Sequence, residues 1–246
     1  MKEVSIITGP MRSGTSCITG LLECFGFNLG NSIRILRNKT QHNPRGHFEL
    51  DLLFTINERL ISEVPNGPWD AFNVPSEYLM SRVSEHREKY FNYFLNKFDG
   101  NLCKDPLFCL TLPLWEKHWP ELKRAVFCLR HPLSVANSMK KRYGLSVEKS
   151  LEIWHIYTDR FYKSKKKCRV FILDFDAFYA NPIDVIMNLV DWFGYQISRE
   201  NAKKHIDNFF DIGHVHWLHN DPDLAGLPAS IKELYLEIRS HARCYN

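Results

Sequence analysis

Residues 9–16 read Gly-Pro-Met-Arg-Ser-Gly-Thr-Ser and lie between a short apolar run and a segment with helical periodicity. The run Val4-Ser5-Ile6-Ile7-Thr8 has the length and composition of a buried strand. The apolar residues after the loop recur at intervals of three and four: Cys17, Ile18, Leu21, Leu22 and Phe25. This spacing predicts a helix that ends at Gly26. The start of the chain therefore predicts a strand, a loop and a helix.

The loop matches the phosphate-binding pattern Gly-x-x-x-x-Gly-Lys-Ser/Thr except at one position. Both glycines and the final hydroxyl are present, but Thr15 replaces the lysine and the cation is Arg12. Amide groups at a helix N-terminus and loop hydroxyls can converge on an anion. The predicted anion-binding residues are Arg12, Ser13, Gly14, Thr15 and Ser16. The missing lysine disfavours a nucleoside triphosphatase.

Strands and helices alternate along the rest of the chain. Further strands are predicted at residues 101–104, 123–129 and 169–174. Helices are predicted after Pro132, after the N-cap Ser146, between Asn181-Pro182 and Gly194, and from Pro228. Strands separated by helices indicate parallel pairing, so we expect a three-layer, P-loop-like α/β domain whose central parallel sheet is flanked by helices.

Residues 1–246 are expected to form a single domain, because no linker or repeat interrupts the pattern. Residues 30–99 differ in being rich in Asn, Pro and charge, and they predict a helical insertion over one end of the sheet. Its helices are expected around residues 49–63 and 76–97.

Composition excludes several classes of function. The net charge of +4 in 246 residues gives no support to nucleic-acid binding, and the apolar runs are strand-length, too short for a membrane span. The first residues lack a signal-peptide core, which predicts a cytoplasmic protein. The seven cysteines are scattered without a Cys-x-x-Cys pair, and this pattern is typical of reduced thiols.

A second candidate phosphate site lies between the predicted strand at 123–129 and the helix after Pro132. Arg130 follows the carboxyl end of that strand, and Ser138 lies two helical turns further on. Ligands of such folds bind at the carboxyl ends of the strands, so this cation and hydroxyl are expected beside the first loop. A guanidinium binds phosphate in a bidentate manner. Arg142, one turn past Ser138, is a further candidate contact.

These two motifs carry a resemblance to a family. The first motif, near the N-terminus, reads Pro-x-Arg-Ser-Gly-Thr-Ser, and the second, later in the chain, reads Leu-Arg-His-Pro-x-x-Val-x-x-Ser. After them come residues 171–175, Asn181-Pro182 and a helix ending at Phe193-Gly194. This order resembles the sulfotransferases that use 3′-phosphoadenosine 5′-phosphosulfate (PAPS). The resemblance implies that residues 12–16 bind the 5′ end of PAPS, whereas Arg130 and Ser138 bind the 3′-phosphate. It also implies adenosine 3′,5′-bisphosphate as product and no metal.

The resemblance suggests three catalytic residues. Arg12 is expected to neutralise charge on the leaving phosphate, because sulfuryl transfer, like phosphoryl transfer, depends on positioning and charge neutralisation. Lys104 occupies the place where the family often has a lysine near the transferred group; the alternative is a solvated lysine at a strand end. Many family members have a histidine two residues later, but this chain has Pro106. The base must therefore come from elsewhere.

Glu49 is the preferred base, because a Gly-x-Phe-Glu segment, as in bacterial-type members, recurs in sulfotransferases that use a glutamate. The rivals are His47, Asp51 and Asp105. Glu49 has a further, structural interpretation as an acid in the first turn of a helix, where the helix dipole would stabilise it.

Other features have simpler interpretations. The segment His214-x-His216-x-x-His219 lacks zinc-type partners and predicts a polar loop, although the resemblance places this segment near the nucleotide. The helical spacing of Trp154 and Tyr157 predicts that both side chains pack in the core.

The acceptor provides a hydroxyl or amine and is a sugar, lipid, phenol or peptide; the sequence does not specify which of these it is, nor the oligomeric state. The alternative functions are a nucleotide kinase and a nucleotide-binding module without catalysis.

Overall fold

The computed structural model of the chain describes residues 3–40, 45–81, 87–164, 166–209 and 224–242. Its strands are β1 (Val4–Thr8), β2 (Ile35–Leu36), β3 (Glu49–Leu50), β4 (Leu102–Lys104), β5 (Leu122–Leu129) and β6 (Arg169–Asp174). Its helices are α1 (Thr15–Cys24), α2 (Asp51–Ser62), α3 (Glu77–Ser81), α4 (Glu88–Leu95), α5 (Phe108–His118), α6 (Pro132–Tyr143), α7 (Val147–Lys163), α8 (Phe175–Ala180), α9 (Pro182–Trp192), α10 (Arg199–Phe209) and α11 (Ala229–Ser240).

The main sheet has the strand order β4-β1-β5-β6, and all its pairs are parallel. Ile7 of β1 pairs with Lys104 on one side and with Val126 on the other, while Leu129 pairs with Asp174. The carboxyl ends of the four strands therefore lie along one edge. The loops that follow β1, β4, β5 and β6 start at this edge.

Both faces of the sheet are covered, because successive side chains of its strands enter two different apolar clusters. Ile6, Ala125 and Phe127 belong to one cluster, which includes residues of α5, α7 and α11. Ile7, Val126 and Cys128 belong to the other, which includes residues of α1 and α9. Helices on both faces of a parallel sheet make the three-layer α/β architecture, so the predicted fold class is confirmed.

The predicted strands of the main sheet all form, and Ser146 caps α7 as expected by accepting a hydrogen bond from the Lys149 amide. Three helices were not predicted: α5, α8 and α10. Helix α5 is buried along most of its length, so its sequence lacks the alternation of apolar and polar faces that predicts a helix. It also contains Pro113, a residue that disfavours the interior of a helix. Helix α10 has the opposite character, since few of its residues are buried.

Residues 30–99 contain helices within both predicted ranges, namely α2 in one and α3 with α4 in the other. They also contain an unpredicted antiparallel hairpin, in which Ile35 pairs with Leu50 and Leu36 with Glu49. The predicted helix start at residue 49 is wrong, because the hairpin takes Glu49 and Leu50 and α2 begins at Asp51. The interpretation of Glu49 as a helix first-turn acid is therefore wrong as well.

Across the described ranges, every helix is too short or too polar to cross a lipid bilayer. The six cysteines that the structure describes are free thiols.

Candidate active site

The phosphate loop is shaped by close backbone contacts between β1 and α1. Gly14 is the N-cap residue of α1 and has a φ of +92°, a left-handed conformation that favours glycine. A Cβ on Gly9 would lie 2.5 Å from the Cys128 carbonyl oxygen of β5. Arg12 also has a left-handed φ, of 72°, which is uncommon for a residue with a side chain. The loop is thus held tightly against the end of β5.

The start of α1 provides a suitable environment for an anion. The first amide groups of a helix have no acceptor within the helix, and α1 has no acidic residue in its first turn. The buried Ser13 hydroxyl has no hydrogen-bond partner among the described residues. An unpaired buried hydroxyl at a helix N-terminus is a donor for a ligand.

The structure brings the two predicted phosphate motifs together. Arg130 Nη1 donates a hydrogen bond to the Arg12 carbonyl oxygen at 2.9 Å, and Arg12 Nε donates to Ser138 Oγ at 3.0 Å. Arg130 is 7% exposed, and burial is the main reason that its pKa is lowered to about 10. Burial likewise lowers the pKa of Arg12. Two desolvated guanidinium groups therefore lie side by side, an arrangement that a polyanionic ligand would neutralise.

Lys104 and Glu49 form an ion pair in the same region. Lys104 Nζ lies 2.5 Å from Glu49 Oε1, and the two side chains are 1% and 13% exposed. Lys104 is the last residue of β4, while β3 brings Glu49 against that strand end. Lys104 is thus a buried lysine with a carboxylate partner, and its alternative interpretation as a solvated lysine is wrong.

His47 connects this ion pair to the phosphate loop. Its backbone carbonyl accepts a hydrogen bond from Ser16 Oγ at 3.1 Å. Burial is the main reason that the pKa of the half-buried His47 imidazole is lowered, and the charge of Glu49 acts in the opposite direction. Neighbouring cations lower this pKa further: Lys104, Arg142 and Arg12. His47 is therefore close to both groups of candidate residues.

The other two rival bases have different surroundings. Asp51 forms a 2.7 Å ion pair with Arg34, in which the Arg34 side chain is 73% exposed and the Asp51 side chain 40%. Asp105 is fully buried, and its carboxylate accepts hydrogen bonds of 2.9 Å from Asn57 Nδ2 and from the Leu107 amide. Burial and the charge of Glu49 raise the pKa of Asp105 to about 7. Asp51 is occupied by a partly exposed ion pair and Asp105 is fully buried, so Glu49 and His47 are the better-placed candidates.

Arg142 lies at the border of the site. Its Nη1 is 3.4 Å from Thr40 Oγ1, and its guanidinium carbon is 5.5 Å from the centre of the Tyr143 ring. Tyr143 is close enough to Arg12 to affect its pKa, and its ring lies 5.1 Å from that of Phe72. An aromatic pair therefore lies next to the cationic residues.

Trp154 and Tyr157 are fully buried and pack as expected. Trp154 Nε1 donates to the Arg130 carbonyl oxygen at 3.2 Å, and the Tyr157 hydroxyl donates to the Ala71 carbonyl oxygen at 2.8 Å.

The histidines at 214, 216 and 219 lie outside the described residues. Within the described ranges, no three His, Cys, Asp or Glu side chains are grouped so as to hold a metal ion.

Two residues of the site, Phe175 and Asp176, follow β6 and were not predicted as site residues from the sequence. Phe175 packs against Gly14 and Arg130, while Asp176 accepts a hydrogen bond from the His131 amide. The position of Asp176 in the sequence could have identified it. It is an acid just after the carboxyl end of a predicted strand, and ligands of such folds bind at these strand ends.

Comparison with known proteins supports the fold. No family model and no curated protein matches the sequence. The sulfotransferase domain of the Synechococcus PCC 7002 olefin synthase has a TM-score of 0.52 at 16% identity, covering 97% of this chain and 93% of that one. The sulfotransferase domain from the curacin biosynthetic pathway has a TM-score of 0.51 at 16% identity, covering 97% and 98%. A sulfotransferase from Mycobacterium avium has a TM-score of 0.51 at 12% identity, covering 98% and 78%.

The chain therefore has the fold of sulfotransferase domains. The resemblance that was based on the two phosphate motifs is confirmed as regards this fold.

Proposed function

We propose that the protein is a sulfotransferase that transfers the sulfuryl group of PAPS to a hydroxyl or amine of an acceptor. The observation that carries this proposal is the pair of hydrogen bonds that joins Arg12 to Ser138 and Arg130 to Arg12. They unite two motifs, far apart in sequence, in one buried cationic site at the carboxyl ends of β1 and β5. The sulfotransferase fold supports the same conclusion.

The described residues fit a donor with anionic groups at both ends of its nucleotide. The start of α1, the unpartnered Ser13 hydroxyl and Arg12 are suited to the 5′ end. Arg130 and Ser138 provide a second guanidinium and a second hydroxyl for the 3′-phosphate. A simple 5′-nucleotide would leave this second pair without a ligand group.

When bound, PAPS supplies a sulfuryl group that is activated by its anhydride bond to the 5′-phosphate. Arg12 neutralises the negative charge that grows on the departing phosphate, which is the main demand of such transfers. Lys104, buried beside the phosphate loop, places a second cation near the transferred group. Glu49 accepts the proton of the acceptor hydroxyl or amine on Oε2, the oxygen that Lys104 does not contact. His47 is the second candidate for this role.

The ion pair between Lys104 and Glu49 gives both residues a fixed position before an acceptor arrives. A buried ammonium that donates to one carboxylate oxygen orients the carboxylate, and the other oxygen stays available for a proton. The proposal treats residues 1–246 as one sulfotransferase-like domain in which residues 30–99, which supply Glu49, face the acceptor. The cytoplasmic location stays a prediction.

The experiment that tests the proposal is a screen of sugars, phenols, lipid alcohols and peptides with PAPS carrying labelled sulfate. We expect label to appear on at least one acceptor, and Arg12→Met to abolish this transfer. Arg169→Met is the matched control, because Arg169 is exposed at the amino end of β6, away from the site. Binding of adenosine 3′,5′-bisphosphate without transfer to any acceptor would favour a binding module, and phosphoryl transfer from ATP would favour a kinase.

A further inference from the structure

The chain turns sharply where β6 meets α8, at Asp174, Phe175 and Asp176, which we call the β6–α8 corner. Asp174 is fully buried, and its Oδ1 accepts hydrogen bonds from the amides of Asp176 at 2.9 Å and of Ala177 at 3.1 Å. Its Oδ2 accepts a hydrogen bond from Arg239 Nε of α11 at 2.9 Å. The buried carboxylate thus caps α8 and ties the corner to the last described helix.

The ring of Phe175 packs against both the phosphate loop and Arg130, next to the hydrogen bond that joins Arg130 to Arg12. A Cβ added to Gly14 would lie 2.2 Å from two carbons of this ring, so the ring lies directly against the Gly14 backbone. The guanidinium carbon of Arg130 lies 5.5 Å from the centre of the same ring. This distance is within the range of a cation–π interaction, which is strongest when both groups are desolvated. Phe175 and Arg130 are both buried.

Asp176 contacts the residue that follows Arg130. Its Oδ2 accepts a hydrogen bond from the His131 amide at 2.7 Å, which fixes the backbone that follows Arg130. The nearby charge of Asp176 acts against the lowering of the Arg130 pKa by burial. The corner therefore contacts both phosphate motifs, although it belongs to neither.

We infer that Phe175 is a positioning residue that fixes the spacing between the phosphate loop and Arg130, so that the site distinguishes adenosine 3′,5′-bisphosphate from nucleotides with one phosphate group. This inference rests on the proposed function. A ligand that spans both motifs benefits from their fixed separation, whereas a ligand that occupies one motif does not. The corner thereby acts on selectivity rather than on binding in general.

The test compares Phe175→Leu with Phe171→Leu. Phe171, a residue of β6, is a buried phenylalanine in the same apolar cluster as Phe175, and it packs against Trp192. Titration calorimetry would measure the dissociation constants of adenosine 3′,5′-bisphosphate and adenosine 5′-phosphate for each protein. We expect Phe175→Leu to reduce the preference for the bisphosphate by about tenfold, since it removes the aromatic contact of Arg130. Phe171→Leu should leave this preference unchanged.

The ratio of the two dissociation constants separates positioning from folding, because a loss of folded protein affects both titrations equally. If Phe175→Leu does not fold, Phe175→Met fills a similar space without an aromatic face and replaces it in the same comparison. An unchanged ratio in the folded variant would overturn the role of Phe175. A wild-type protein without preference for the bisphosphate would instead overturn the proposed function.

Discussion

Replacement of Glu49 by Gln tests the assignment of the base with little change in shape. Gln keeps an oxygen that can accept the hydrogen bond from Lys104, which is 2.5 Å long in the wild type. It removes the negative charge and the ability to accept the acceptor's proton. Folding and donor binding should therefore persist while the proton-transfer step fails.

The expected magnitudes follow from the surroundings of the ion pair. General-base catalysis contributes about 100- to 10,000-fold, so turnover should fall within this range. A hydrogen bond to a neutral amide is weaker than one to a carboxylate, and Lys104 is almost completely buried, so the free energy of unfolding should fall by about 1–2 kcal/mol. This loss corresponds to a decrease in Tm of only a few degrees.

The assay is transfer of labelled sulfate to an acceptor found in the screen, together with calorimetric titration of adenosine 3′,5′-bisphosphate. Asp51→Asn is the control, because Asp51 is the rival acid only two residues away and its ion pair with Arg34 is exposed. We expect the affinity for the bisphosphate to be nearly the same in all three proteins. Equal turnover of Glu49→Gln and wild type would refute the assignment, and a selective loss in Asp51→Asn would transfer the role to Asp51.

Two further predictions concern buried charges. Arg130→Met should weaken binding of adenosine 3′,5′-bisphosphate by about a hundredfold, because charge-assisted hydrogen bonds to the ligand are lost. Binding of adenosine 5′-phosphate should weaken much less. Arg169→Met is the control. Similar losses for both nucleotides in calorimetry would contradict the 3′-phosphate role. The second prediction concerns Asp105, whose pKa is raised to about 7 in the native protein. Its carboxyl group therefore keeps a proton that the same group in the unfolded chain releases above about pH 4. Asp105 therefore makes the free energy of unfolding fall by up to about 1.4 kcal/mol per pH unit as pH rises from about 4 to about 7. Asp105→Asn should remove this slope in denaturant titrations, and identical slopes would show that Asp105 does not titrate there.

Much of the sheet could be predicted because its strands are short apolar runs bounded by loops. The predicted bounds of β1 and β6 agree with the structure, and Ser146 could be recognised as a cap from residue type alone. The meeting of the phosphate loop with Arg130 also follows from topology, since parallel strands align their carboxyl ends.

What could not be predicted depends on tertiary contacts. The position of Glu49 is set by pairing with Leu36, and a two-residue strand has no periodicity of its own. Helix α5 lacks a polar face because it is buried on nearly all sides. The contact of Lys104 with Glu49 joins residues from separate elements, and nothing in either local sequence specifies the partner.

The contact of Phe175 with Gly14 could not be predicted from the sequence for a related reason. In sequence, Gly14 is explained by its position at the start of a helix, and Phe175 by its place directly after an apolar strand. The structure shows that the ring occupies the space where a side chain of residue 14 would be. Close packing between distant segments thus adds a second requirement for this glycine.

The most direct test of the account is calorimetric titration of the wild-type protein with adenosine 3′,5′-bisphosphate, ATP and GTP under identical conditions. A site in which Arg12, Arg130 and Ser138 act together should bind the bisphosphate much more tightly than either triphosphate. Tighter binding of ATP or GTP, or no binding of the bisphosphate, would contradict the proposal that this site holds a sulfuryl donor.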